Sequence, residues 1–308
     1  MVIGRKKSGN KIKYSLTDRI FQTSVYLFLT LALVIVLYPL IYIVSASISN
    51  PQTVSSGEML LFPKEITFEG YKTIFENQSI WRGYANTIFY TALGTLVNLI
   101  VTIPCAYALS RADFSGKKFF TKFMVVTMFL SGGLIPTYLI VKNLGMINTV
   151  WALIIPNAAS VYNIVVTRTF FQSTIPRELE EAATIDGCSD IKMFIKVILP
   201  LSLPIIAVMA LFYGVGHWNG YFSALIYLSD RALYPLQMVL REILVLQDMA
   251  SNSIGMNSSM AEFAHSKQQL AQVIQYGVMI VSTLPIIVVY PFLQKYFVKG
   301  MMVGSVKG

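Results

Sequence analysis

The feature that most constrains this chain is the spacing of its charges. Six stretches carry no Asp, Glu, Lys or Arg: Arg19 to Glu58, Arg82 to Arg111, Lys122 to Lys142, Lys142 to Arg168, Lys196 to Asp230, and Lys267 to Lys295. Each holds the roughly 20 residues that a helix needs to cross the hydrocarbon core of a bilayer. A closed barrel would show short alternating segments instead. The expected fold is an all-α membrane protein with six transmembrane helices, at about 23–48, 84–109, 122–141, 148–168, 198–228 and 270–294. They form one membrane domain over 20–297, between an N-terminal segment 1–19 and a tail 298–308. The first apolar run is too long for a signal peptide and lacks a prompt cleavage site, so it reads as a retained helix.

Composition agrees. Hydrophobic residues make up 55% of the 308 residues and charged residues only 13%, too few to coat a soluble domain. The net charge of +9 leaves no solvated basic face for nucleic acid. It follows instead from topology. With six crossings, 17 Lys and Arg fall on the side of the termini and 7 on the other, which makes both termini cytoplasmic in a multi-pass protein of the cell membrane. Cys105 and Cys188 have no CxxC or CxxH neighbours, so neither a disulfide framework nor a metal site is expected. The outer segments 49–83 and 230–267 are long enough to dock an external partner, and equally suit plain solvated loops.

One cytoplasmic stretch runs against the basic trend: "TIPRELEEAATIDGCSDIKMFIKVILPLSLP", from Thr174. Ser173 or Thr174 can cap a helix with Pro176 in its first turn, acids favour that end, and Gly187 is a good stop. Leu179, Ala182, Ala183 and Asp186 share a face. After a second cap at Ser189 or Asp190, Ile191, Phe194, Ile195 and Ile198 form an apolar stripe. Pro200 and Pro204 then interrupt the start of the fifth membrane helix. On periodicity alone, an ordinary interfacial helix pair fits as well.

In "EAATIDGCSDIKMFIKVILP" the residues Glu181, Ala182, Ala183, Asp186, Gly187, Leu199 and Pro200 stand in the pattern of the EAA loop, and the stretch resembles that of ABC importer permeases. With "NTIFYTALGTLVNLIVTIPCAYALSR", "SGGLIPTYLIVKNLGMINTVWALIIP" and "GHWNGYFSALIYLSDRALYPLQMVLREIL", the likeness covers most of the chain. It is to MalG-like carbohydrate permeases of the LplC/YtcP-type branch. The resemblance implies a type I ABC importer permease architecture, with 174–197 as a cytoplasmic EAA coupling-helix loop docking into a cleft on a separate ATPase. It implies a second related permease, two ATP-binding subunits carrying ATP and Mg, an extracellular sugar-binding protein, and alternating access for oligosaccharides or polysaccharide fragments. Cys188 stands where the family usually has a small residue.

The chain has no G-x-x-x-x-G-K-[ST], and "GVGHWNG" lacks the spacing and setting of a dinucleotide turn, so neither ATP nor another cofactor is expected on it. His217, Trp218, Asn219 and Tyr221 are candidates for a sugar pathway, because aromatic faces stack on sugars and polar groups serve hydroxyls. Membrane-belt placement fits the same aromatics. Ser131 is a weaker candidate, beside Gly132 and Gly133. The charge-free spans contain only His217 as an ionisable side chain of the kind used for ion coupling, which disfavours an ATP-independent carrier or channel. Two histidines in all disfavour a membrane enzyme. A permease for a non-sugar solute is the nearest alternative.

Overall fold

The structure, a computed structural model, describes residues 15–252 and 269–291. The basic segment before Ser15, the Ser/Asn/Met-rich stretch 253–268 with His265, and the tail 298–308 lie outside the described residues. Within them the chain is helical, and no strand occurs among the described residues.

Helix α1 (Leu16–Ser47) starts with the Ser15 N–H donating to Asp18. Its side chains face outward for almost its whole length, and only Ser45, Ala46 and Ser47 are buried. After a short helix, α2 (Glu69–Glu76), the chain enters α3 (Gln78–Ser110), whose first turn is capped by Asn77 accepting from the Ser79 N–H at 3.0 Å. The central mast of the bundle is α3. Ile80, Gly83, Thr87, Tyr90, Gly94, Asn98, Thr102, Ala106 and Leu109 recur every three or four residues and are all buried. This stripe is rich in small and polar residues, the composition that lets membrane helices approach closely and hydrogen-bond.

The next two expected crossings are interrupted. Helices α4 (Lys117–Phe129) and α5 (Leu134–Asn143) meet at a bend of 113°. Gly133, at φ +83° and ψ 179°, occupies a conformation that a side chain disfavours. Ser131, Gly132 and Gly133 thus form a break rather than a helical packing face. The stretch expected as a helix over 148–168 begins with one turn at Trp151–Ile154. It tightens into a 3-10 turn at Ile155–Asn157 containing Pro156, then restarts as α6 (Val161–Thr174), capped by Ser160.

The EAA-bearing helix is α7 (Arg177–Ile185). It is followed by α8 (Asp190–Leu201), which contains a π-helical turn at Phe194–Ile198, and by α9 (Leu203–Trp218), at a bend of 79° to α8. The bend falls at Ser202, two residues before Pro204, whose ring lacks an N–H and crowds the carbonyl one turn earlier. Ser202 is fully buried there, and its hydroxyl donates to the Ile198 carbonyl at 2.6 Å. The expected helix over 198–228 therefore has a bend near its start and ends at Trp218. A separate α10 (Phe222–Tyr227) follows, then α11 (Leu236–Asn252) and α12 (Gln269–Pro291). Helices α1, α3 and α12 are each long and apolar enough to cross a membrane, and the bent pairs α4–α5 and α8–α9 pass the same test together. With the interrupted stretch 151–174, these elements are consistent with six crossings.

Packing concentrates at the two ends of α3. At its C-terminal end Ile103, Ala106, Tyr107 and Leu109 form a core with Ile164, Phe171, Met193 and Ile198 from α6 and α8. At the other end Asn86 donates to the Ala232 and Tyr234 carbonyls, Tyr90 donates to the Leu233 carbonyl, and Thr87 accepts the first N–H of α11.

Candidate functional site

Helix α7 has an acidic first turn and buries none of its residues. Pro176 itself occupies the capping position, with ψ 139° and no side-chain bond, so neither Ser173 nor Thr174 caps it; α6 runs on to Thr174. At the other end the Gly187 N–H donates to the Thr184 carbonyl at 3.0 Å and the Cys188 N–H to the Ala183 carbonyl at 2.9 Å. These paired bonds define a Schellman turn, with Gly187 at φ +70°. Nothing lies within 4 Å of a Cβ placed there, so backbone conformation rather than space calls for glycine. Ala183 and Cys188 both pack on the core at the end of α3, completing the apolar contact that accompanies this motif.

The fold gathers Glu181, Ala182, Ala183, Asp186 and Gly187 on this helix and its turn. Glu181, Ala182 and Asp186 are exposed, and Ile185 is 86% exposed. Leu199 and Pro200 lie farther on, in the last turn of α8, where Leu199 packs against the core and Pro200 is exposed. The stripe expected on α8 is divided: Phe194 and Ile198 join the core, whereas Ile191 and Ile195 face outward.

Arg111, just past the end of α3, anchors this loop. Its guanidinium bonds both carboxylate oxygens of Asp113 (2.8 and 2.5 Å), Asp190 at the start of α8 (3.2 Å) and the Tyr107 hydroxyl (3.2 Å). Tyr107 in turn stacks on Phe194, with ring centroids 5.1 Å apart. The Arg111 hydrogen bond holds the Asp113 carboxyl below the usual carboxylate range, and the same bond raises Arg111 further above its already high value. Arg168 on α6 adds a bond to the Leu109 carbonyl at 3.0 Å, satisfying an end group of α3. Arg111 and Asp113 also line a cleft with Arg177, Glu180, Glu181 and Ile185. In the sequence Arg111 marks only the end of a charge-free stretch, so this hub is not evident there.

A second site lies in the membrane portion. A cavity of about 380 Å³ is lined by Asn157, Ser160, Asn163, Tyr213, His217 and Ser223, among others. His217 Nε2 lies 2.7 Å from Asn98 Oδ1, and Asn98 Nδ2 donates to the Asn157 and Ala158 carbonyls at 2.7 and 2.9 Å. Trp218 is directed elsewhere. It borders a separate, apolar cavity of about 400 Å³ with Ile88, Thr95 and Val289, and its indole N–H donates to the Ser282 carbonyl at 3.0 Å. Asn219 is exposed at the end of α9, and Tyr221 is exposed beside Phe222. Ser131 is exposed at the α4–α5 break, where its hydroxyl accepts from the Gly133 N–H. Thus only His217 of the candidate pathway residues lines the polar cavity. Asn98, Asn157 and Asn163 were not singled out from sequence; the available signal was an asparagine at the centre of a charge-free run.

Residues 9–303 match the family described as binding-protein-dependent transport system inner membrane component. The chain is 40% identical to the polygalacturonan/rhamnogalacturonan transport system permease protein YtcP of Bacillus subtilis (strain 168), over 94% of this chain and 99% of that protein. It is 43% identical to protein LplC of the same organism, over 94% and 96% of the two chains. Among solved structures it is similar to a chain of a bacterial ABC transporter involved in the import of the acidic polysaccharide alginate. There the TM-score is 0.82 at 34% identity, covering 93% of this chain and 100% of that one. The all-helical bundle, the exposed EAA-bearing helix and these likenesses agree: the chain belongs to the binding-protein-dependent transport system inner membrane component family and is a permease subunit of an ABC transporter.

Proposed function

We propose that this chain is one of two related membrane subunits of an ATP-driven importer for oligosaccharides or polysaccharide fragments. The observation that carries this reading is the state of α7: it buries none of its residues, yet the Schellman turn and the Arg111–Asp190 pair hold its far end to the bundle. A helix so fixed and so exposed suits docking into another protein. Glu181, Ala182, Ala183, Asp186 and Gly187 form the docking element, with Leu199 and Pro200 linking it to α9.

In this reading both termini and α7 face the cytoplasm, as the distribution of Lys and Arg favours. Two ATP-binding subunits, which carry ATP and Mg, each receive one such helix. Their closure moves α7, and the rigid anchor at Arg111 carries that movement to α3. The membrane cavity then opens alternately to each side, and an extracellular binding protein delivers the sugar. His217 lies on the sugar's path in this scheme; Trp218, Asn219, Tyr221 and Ser131 lie at its margins. The carbohydrate class is supported by the names of the relatives, which give polygalacturonan/rhamnogalacturonan and alginate.

Extraction of the tagged chain in mild detergent, with mass spectrometry of its companions, tests the assembly. An ATPase and a second permease are expected. Proteoliposomes holding the complex and its binding protein should take up labelled oligosaccharide only with ATP. Recovery of the chain alone under conditions that preserve known importers, or uptake independent of ATP, would overturn the proposal.

A further inference from the structure

Asn98 is 1% exposed in the middle of α3, and its side chain makes three bonds. Nδ2 donates to the Asn157 and Ala158 carbonyls, where the helix before α6 is broken, and Oδ1 faces His217 Nε2. Turning the amide over would set Oδ1 against two carbonyl oxygens, acceptor against acceptor. The amide orientation is therefore fixed, and the atom presented to His217 is an acceptor. His217 must then carry a proton on Nε2, and in the neutral ring Nδ1 keeps a lone pair. Gly94, one turn before Asn98, clears space for the ring: a Cβ there would lie 2.4 Å from Nε2. Gly94 and Asn98 together make a seat for His217 on α3.

Among the described residues, the cavity that His217 borders is lined by hydroxyls and amides together with apolar groups such as Leu153 and Pro235, and by no Asp, Glu, Lys or Arg. We infer that Asn98 is a positioning residue that holds His217 in its Nε2–H form, so that Nδ1 accepts a hydrogen bond from a carbohydrate hydroxyl in this cavity. The ligand half of this inference rests on the proposed importer function; the tautomer half does not.

The test is solid-state 15N NMR of the assembled importer labelled with [15N]histidine. The difference from the His217→Gln complex assigns the His217 resonances. At neutral pH, wild type is expected to show a protonated Nε2 and a bare Nδ1, and Asn98→Leu a mixture of tautomers. A protonated Nδ1 in wild type, or an unchanged single tautomer in Asn98→Leu, would overturn the positioning role. The wild-type spectrum decides this even if the variant fails to assemble. Trigalacturonate is then added, and its ATP-dependent uptake is measured with the same preparation. If it is taken up, the Nδ1 resonance should shift; uptake with no shift would sink the ligand half. No uptake counts against the proposed substrate, while the tautomer result stands by itself.

Discussion

Arg111 and Asp190 meet at 3.2 Å, joining the residue just past the end of α3 to the first turn of α8 within the EAA-bearing loop. The two carboxylates bound to Arg111 differ in what they do. Asp113 is its local partner two residues on, whereas Asp190 is 79 residues away in sequence and belongs to the loop. Both acids are well exposed, so solvent screens each pair, and the pair with Asp190 contributes at most ~1 kcal/mol to stability. Its importance lies in connection. Asp190→Asn should leave the thermal unfolding midpoint of the complex nearly unchanged yet weaken the stimulation of ATP hydrolysis by loaded binding protein. Full stimulation in that variant would remove Arg111–Asp190 from the coupling route.

The Asp113 carboxyl, held low by Arg111, gives a pH signature. A carboxylate with a depressed folded-state pKa contributes stability above its unfolded pKa, and loses it as pH falls through the folded value. Arg111→Gln should therefore flatten the loss of stability on acidification below the usual carboxylate range. Unfolding midpoints measured for both proteins across that range check it; parallel curves would count against the pairing.

At Gly187 the requirement is conformational. Alanine meets no neighbour but must adopt φ near +70°, at a cost of roughly 1–2 kcal/mol. Asparagine tolerates that region better. Gly187→Ala should lower ATP-driven uptake with little change in membrane insertion, and Gly187→Asn should recover part of it. Equal activities for the two variants would mean that the turn is not strained.

Thr87 accepts the Leu236 N–H at 2.8 Å in a buried setting, closing the start of α11 onto α3. Thr87→Val keeps the shape and leaves that donor without its partner, which costs ~1–3 kcal/mol. A lowered unfolding midpoint is expected, with ATP hydrolysis by the assembled complex retained at permissive temperature.

Gly94→Ala tests the seat of His217 by another route. Its Cβ falls within 3 Å of three ring atoms, so the ring must move away. Uptake should fall far more than for Gly214→Ala, because a Cβ at Gly214, on the same helix as His217, meets only ordinary contacts, at 3.7 and 3.9 Å, and does not line the polar cavity. Comparable uptake by the two variants would argue against a fixed ring position.

Much of this architecture was legible because lipid imposes a simple rule. A charge-free stretch must bond its own backbone, so the spans at α1, α3 and α12 could be read from charge spacing alone. The turn at Gly187 was legible for a different reason: one residue type relieves one backbone conformation. The break at Ser202 was marked in advance by Pro200 and Pro204, whereas the break at Gly133 was harder to foresee. Helix interruptions inside a membrane depend on neighbouring groups that satisfy the freed bonds, and sequence spacing does not name those neighbours. The Asn98–His217 contact joins residues 119 apart, and nothing local announces it. Trp218 and His217 are adjacent in sequence, but successive helical positions diverge by ~100°, which is why they border different cavities.

Helix α1 has a mechanical consequence of its own. Its 32 residues would extend about 48 Å, well beyond a hydrocarbon core of ~30 Å, and among the described residues only its last few turns pack against the rest of the chain. A rod longer than the slab it crosses leans, kinks, protrudes or thickens the slab around it, and Pro39 offers this one a place to bend. How it accommodates the excess depends on bilayer thickness and on what lies alongside, which makes the lipid a determinant of this subunit's outline.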